Sequence, residues 1–144
     1  MILWRISPFA DLSGIGGLKY SGRWHSAGRA VVYLAESPAG ALLEVCAHTS
    51  EESVPPTFNL LKIGGPDIAA DEVADLPAGW SELIERTQTI GSEWLDSRRG
   101  GLLRVPSVLV PETWNILLNP EHAVARDFKV ERRYEYPFDL RLKR

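Results

Sequence analysis

Residues 20–48, YSGRWHSAGRAVVYLAESPAGALLEVCAH, constrain the fold more than any other stretch of the chain. Ser21, Gly22, Ser26 and Gly28 punctuate a turn-rich loop. The run AVVYLA at 30–35 is apolar and β-branched, and its length suits a buried strand. Ser37-Pro38 then opens a helix. The serine hydroxyl can accept an orphan N–H at the N-cap, and proline fits the first helical position because no backbone bond is lost there. The helix is expected to reach about His48, with Leu42, Val45, Cys46 and Thr49 as its apolar stripe. Loop, strand and helix follow one another with almost no slack, so the three must share a core.

The rest of the chain reads as short strands with two or three helices. Residues 2–6, ILWRI, form a strand stopped by Ser7-Pro8. Residues 12–29 are a Gly/Ser loop, and TFNLLKIG at 57–64 is a strand ended by Gly64-Gly65-Pro66. Residues 67–79 are turn-rich. A helical pattern runs from Trp80 to about Arg99, in two pieces broken near Gly91, and Gly100-Gly101 closes it. LLRVPSVLV at 102–110 is a strand bent at Pro106, and WNILLNP at 114–120 is a strand and turn. FKVERRYEYPFDLRL at 128–142 gives an edge strand and a surface return. About six short strands mixed with helices point to an α+β fold rather than a doubly wound sheet.

The chain has 144 residues, enough for one domain over 1–144 with a real core. The net charge of −3 argues against a general nucleic-acid surface, which needs clustered basic residues. It leaves room for a small anion held by a few arginines. One cysteine, Cys46, rules out an internal disulfide and fits a reducing, cytoplasmic setting. The N-terminus lacks the pattern of a signal peptide, and no apolar run approaches the roughly 20 residues that span a bilayer.

Three residues of the 20–48 stretch could carry chemistry. Glu44 lies three and four positions from Gly40, Ala47 and His48, on a helix face of mostly small side chains that would let a ligand reach a carboxylate. The plainer alternative is a solvated glutamate. Arg23, in the SGRW turn, can grip a phosphate bidentately, or simply sit at the surface beside an anchoring Trp24. Tyr33 shares a strand face with Val31 and the small Ala35, so its ring has room to stack on a base or nicotinamide; otherwise it is a core tyrosine. Together, a fixed cation, an aromatic face and a carboxylate suit holding a dinucleotide and cleaving its glycosidic bond. Ser107, between Pro106 and Val108 in an apolar run, needs a partner for its hydroxyl and could orient Glu44 or bind a ribose or phosphate. GIGGLKYSG at 14–22 matches no phosphate-binding Gly spacing. His25, His48 and His122 are too scattered for a metal site, and Cys46 falls on an apolar stripe. No G-x-S-x-G elbow is present.

In order along the chain, WRIS, GRWHSAGRAVVYLAESPAGALLE, LRVPS, NILLNPEH and PFDLRL resemble the RES domain, a family of toxins from bacterial toxin–antitoxin pairs. On that resemblance Arg23, Glu44 and Ser107 stand at the family's name-giving arginine, glutamate and serine, and Tyr33 at its active-site tyrosine. Tyr20 and Asn119 join Arg23, Tyr33 and Ser107 as expected substrate contacts. Ser21-Gly22, His25 and Ala35 depart from the family's usual Gly-Gly, Asn and Ser at those places. The resemblance implies an ADP-ribosyltransferase-like α+β fold with a split, mostly antiparallel sheet, and NAD as substrate rather than as a bound cofactor. It also implies a cognate Xre-like helix-turn-helix antitoxin that makes the DNA contacts, and a homodimer within a larger complex. The expected reaction is cleavage of the nicotinamide–ribose bond, as a glycohydrolase or phosphorylase. Transfer of ADP-ribose to a host protein is the alternative, and a non-catalytic nucleotide-binding module the rival from another class. Many protein-modifying transferases carry a Glu or Gln two residues before the catalytic glutamate; Leu42 stands there, which favours a small-molecule reaction.

Overall fold

The computed structural model describes residues 1–143. Seven strands form one sheet: β1 (Ile2–Ile6), β2 (Val32–Ala35), β3 (Thr57–Gly64), β4 (Asp71–Glu72), β5 (Leu102–Pro106), β6 (Trp114–Leu118) and β7 (Lys129–Pro137). Three α-helices accompany them: α1 (Gly16–Lys19), α2 (Pro38–His48) and α3 (Ile84–Ser97). Spatial order is β4-β5-β6-β2-β1-β3-β7. Every neighbouring pair is antiparallel except β4 with β5.

The expected split in the sheet falls between β1 and β2. These strands share a single register pair, Trp4 with Ala35. By contrast, β1 runs alongside β3 from Ile2↔Gly64 to Ile6↔Leu60, and β2 alongside β6 from Val32↔Leu118 to Ala35↔Asn115. Two well-paired half-sheets therefore diverge from one seam.

The apolar runs in β2, β5 and β6 are continuous because the sheet is buried on both faces. Val32, Leu34, Leu102, Ile116 and Leu118 join Leu3, Leu61, Ile63 and Phe128 on one side. Leu103, Val105 and Leu117 meet Trp24, Trp94 and Leu95 on the other. Edge strand β7 carries Lys, Glu and Arg side chains and is mostly exposed, a composition that discourages pairing with another chain.

Helix α2 starts as its sequence predicts. The Ser37 hydroxyl accepts from Gly40 N–H at 3.0 Å, with Pro38 in the first turn. A cap of this kind contributes about 1 kcal/mol. Helix α3 corrects an expectation. It is continuous through Gly91, and the interruption lies at Leu83, between a 3-10 turn at Trp80–Glu82 and the helix proper. Gly91 is there for contact rather than for a break: a Cβ on it would lie 1.7 Å from the Trp24 carbonyl oxygen. Strand β5 ends at Pro106, so residues 107–110 bend away instead of continuing the strand. The turn-rich 67–79 segment holds the two-residue strand β4, and the 12–29 loop holds the short α1. Among the described residues no helix is long and apolar enough to cross a membrane.

Candidate active site

A cleft of about 580 Å³ opens where β1 and β2 diverge. Its walls include Trp4 and Arg5 from β1, Arg23 and Trp24 from the loop, Tyr33 and Ala35 from β2, Glu44 and His48 from α2, and Asn115 from β6. The volume is in the ordinary range for a small-molecule site.

The SGRW turn is placed by α3, almost residue by residue. Thr87 Oγ1 donates to the Arg23 carbonyl at 2.7 Å, and Gln88 Nε2 to the Gly22 carbonyl at 2.9 Å. Gly91 admits the Trp24 carbonyl, and Ser92 Oγ accepts from Ser26 N–H at 2.9 Å. The Arg23 guanidinium donates to the Ser81 carbonyl, which holds the side chain along the cleft while leaving its charge unneutralised. Trp24 itself is buried and stacks at a tilt on Trp80.

Tyr33 uses its hydroxyl for structure and offers its ring to the cleft. The buried His25 donates from Nε2 to the Gly17 carbonyl at 3.2 Å, which leaves Nδ1 to accept the Tyr33 proton at 2.7 Å. The hydroxyl also accepts from Trp24 N–H at 3.1 Å. Burial pushes the tyrosine hydroxyl well above its usual range, so it stays protonated. Burial lowers the His25 imidazole, against the pull of backbone hydrogen bonds, so it is neutral at pH 7. Gly22 is required beside this group, since a Cβ there would lie 2.5 Å from the tyrosine oxygen.

Glu44 is half-buried rather than solvated. One carboxylate oxygen, Oε1, accepts from Asn115 Nδ2 at 3.0 Å and from Ser107 Oγ at 3.2 Å. Ser107 is itself fixed, because its Oγ accepts from Leu109 N–H at 3.1 Å and its own N–H donates to the Thr113 carbonyl at 2.8 Å. A hydroxyl has one proton to give, and here it goes to Glu44.

The structure thus brings Arg23, Tyr33 and Glu44 to one cleft, with the buried Ser107 bonded to the Glu44 carboxylate. It does not bring Tyr20 or Asn119 there. Tyr20 is 74% exposed beyond α1 and is not part of the cleft wall. Asn119 is buried, with Nδ2 donating to the Leu95 carbonyl and Oδ1 accepting from Glu121 N–H. Both ends of that amide are spent on joining α3 to the turn after β6. Two cleft residues escaped the sequence reading. Asn115 sits in register with Ala35 and Val105 and two positions before the buried Leu117. A polar residue in phase with a strand's buried face was the available signal. Arg5 is likewise in phase with the buried Leu3. Burial lowers its basicity, and the nearby Asp11 partly offsets this. Its one side-chain hydrogen bond among the described residues goes to the Asp11 carbonyl, at 3.3 Å. Among the described residues neither Arg5 nor Arg23 forms an ion pair with a carboxylate. The cleft therefore combines a half-buried carboxylate, an aromatic wall and the Arg23 guanidinium, which no carboxylate neutralises, and Arg5 also lines it with Asp11 nearby, a charge pattern suited to a ligand with both anionic and cationic parts.

The family described as the RES domain matches residues 2–139. A protein named Toxin Res from Pseudomonas putida is 52% identical over 136 residues, 91% of this chain and 92% of that protein. A Prs ADP-ribosylating toxin from Sphingobium sp. is 40% identical over 152 residues, 96% of this chain and 94% of that one. A chain from the crystal structure of the M. tuberculosis MbcT–MbcA toxin–antitoxin complex superposes with a TM-score of 0.70, covering 99% of this chain and 86% of its own length. At 16% identity that likeness speaks for a shared fold.

Proposed function

We propose that this chain, which belongs to the RES domain family, is a toxin that cleaves the nicotinamide–ribose bond of NAD. The observation that carries the reading is the Glu44 carboxylate, held through one oxygen in a cleft that also presents Arg5, Arg23 and the Tyr33 ring. NAD has the matching charges: a cationic nicotinamide ring at one end of a ribose and an anionic pyrophosphate at the other.

In this reading Arg5 and Arg23 hold the pyrophosphate, and the Tyr33 ring packs against the nicotinamide ribose. The C–N bond breaks with its electron pair leaving on nicotinamide, which departs neutral. Positive charge develops at the ribose carbon, as in glycoside hydrolysis, and Glu44 stabilises it. An oxygen acceptor then bonds to that carbon and sheds one proton. Water gives ADP-ribose; inorganic phosphate gives its phosphorylated counterpart.

Transfer to a protein side chain is the second reading, favoured by the name of the Sphingobium relative. Leu42, on the helix two residues before Glu44, favours the small acceptors. NAD labelled in its adenine distinguishes them. Incubated with the chain, phosphate and cell lysate, the label is expected in free ADP-ribose or its phosphate ester. Label fixed to a protein band would move the reading to transfer, and binding without any product would move it to a nucleotide-binding module. Arg5→Ala and Arg23→Ala should each raise KM for NAD about tenfold or more, with the phosphate grip lost.

As a toxin the chain requires a cognate antitoxin, and an Xre-like helix-turn-helix protein in a complex of paired copies is the form the family resemblance implies. Val108, Leu109 and Val110 are each about 40% exposed beside Ser107, an apolar rim that a covering partner would bury.

A further inference from the structure

Strand β6 contributes a side chain to the Glu44 carboxylate, and nothing else on that strand face explains a polar residue there. In the row across the sheet, Asn115 lies between Ala35 of β2 and Val105 of β5. The next row on the same face is Tyr33, Leu117 and Leu103. An apolar side chain at 115 would extend that row without interruption. Instead the amide sits on the cleft wall and donates to Glu44 Oε1 at 3.0 Å.

We infer that Asn115 is a positioning residue: together with Ser107 it pins Oε1 and thereby reserves Oε2 of Glu44 for the substrate. Among the described residues no protein donor reaches Oε2. Two donors on one oxygen leave the carboxylate a single rotational setting, and the Leu109 N–H keeps the Ser107 proton aimed at it. An amide is the suitable donor. It carries no charge to cancel that of Glu44, unlike lysine or arginine, and no second carboxylate to oppose it, unlike aspartate. The inference rests on the NAD-cleavage reading for its kinetic consequences, and on the resting geometry alone for the contact.

The test uses Asn115→Ala and Asn115→Asp in the full chain, with folding checked by circular dichroism. Nicotinamide release should show kcat reduced about tenfold to a hundredfold in Asn115→Ala, with KM for NAD within about twofold of wild type because Asn115 holds no phosphate. In Asn115→Asp two carboxyls share one site, so the acid limb of the pH–rate profile should move up by at least about one pH unit. Arg5, Arg23, Tyr33 and His48, the other charged or titratable groups of the cleft, are unchanged in both variants. The Glu44 carboxyl carbon, assigned in NMR spectra by its loss in Glu44→Gln, is titrated in parallel without substrate. Its midpoint should rise in Asn115→Asp. A wild-type chain with no turnover would sink the NAD reading and leave the NMR titration to decide the contact. An active wild type with unchanged kcat and pH profile in both variants, or an unmoved NMR midpoint, would overturn the inference.

Discussion

At the scale of single residues, the site depends on which atoms are already spent. Tyr33 has given its hydroxyl to His25 and Trp24, and Ser107 has given its proton to Glu44. What remains for a ligand is a ring, a carboxylate oxygen and two guanidinium groups. His25 adds a pH dependence. Its folded pKa lies below the ordinary value near 6.5, so below that value the unfolded chain binds a proton that the folded chain does not. Stability is therefore full above about pH 6.5 and declines as the pH falls toward the folded pKa. His25→Asn should flatten this part of the curve in denaturant titrations at pH 5 to 7; an unchanged slope would show that another group sets it. The asparagine could keep the bond to the Tyr33 hydroxyl but would not reach the Gly17 carbonyl. Arg23, Tyr33, Glu44 and Ser107 were legible in the sequence because each is a chemically distinctive residue in a simple local pattern. Asn115 and Arg5 were not, because a polar residue within a strand takes its meaning from its cross-strand neighbours. Asn119 and Tyr20 lie outside any strand: Asn119 follows β6 and bonds α3, and Tyr20 follows α1 outside the cleft wall.

At the scale of elements, α3 acts as a template for the loop that carries Arg23. Thr87, Gln88, Gly91 and Ser92 each meet a backbone atom of residues 22–26. Gly91→Ala should force that loop away from the helix. We expect a loss of about 1–3 kcal/mol in stability, typical of an overpacked contact, with a raised KM as Arg23 shifts. Thermal unfolding together with NAD kinetics reads both, and a variant with wild-type melting and KM would show that the loop is not templated this way. The ends of α2 were readable because Ser37 and Pro38 act locally. The continuity of α3 was not, since glycine's low helix propensity is offset by a contact distant in sequence. Strand β4 escaped notice because two residues carry no periodicity.

At the scale of the whole molecule, the cleft exists because the sheet is joined at its middle by one residue pair. Each half-sheet has its own strand pairings, while one apolar cluster, joining Leu3, Leu61 and Ile63 to Val32, Leu34 and Leu118, holds the two halves together on one face. The α+β class follows from the mixture of strands and helices in the sequence, and the split from the family resemblance. The strand order does not follow from local pattern, because β1 lies between β2 and β3 through pairings that no hairpin turn announces. Glu44 from a helix, Arg5 from one half-sheet and Asn115 from the other meet only at that seam. On the proposed function, this meeting point breaks the nicotinamide–ribose bond with Glu44 as the essential carboxylate. The most direct measurement is nicotinamide released from NAD by the purified chain, beside Glu44→Ala with its fold verified. Steady release by the wild type, lowered at least about a hundredfold in the variant, is the predicted result. Release that persists in Glu44→Ala would contradict the account.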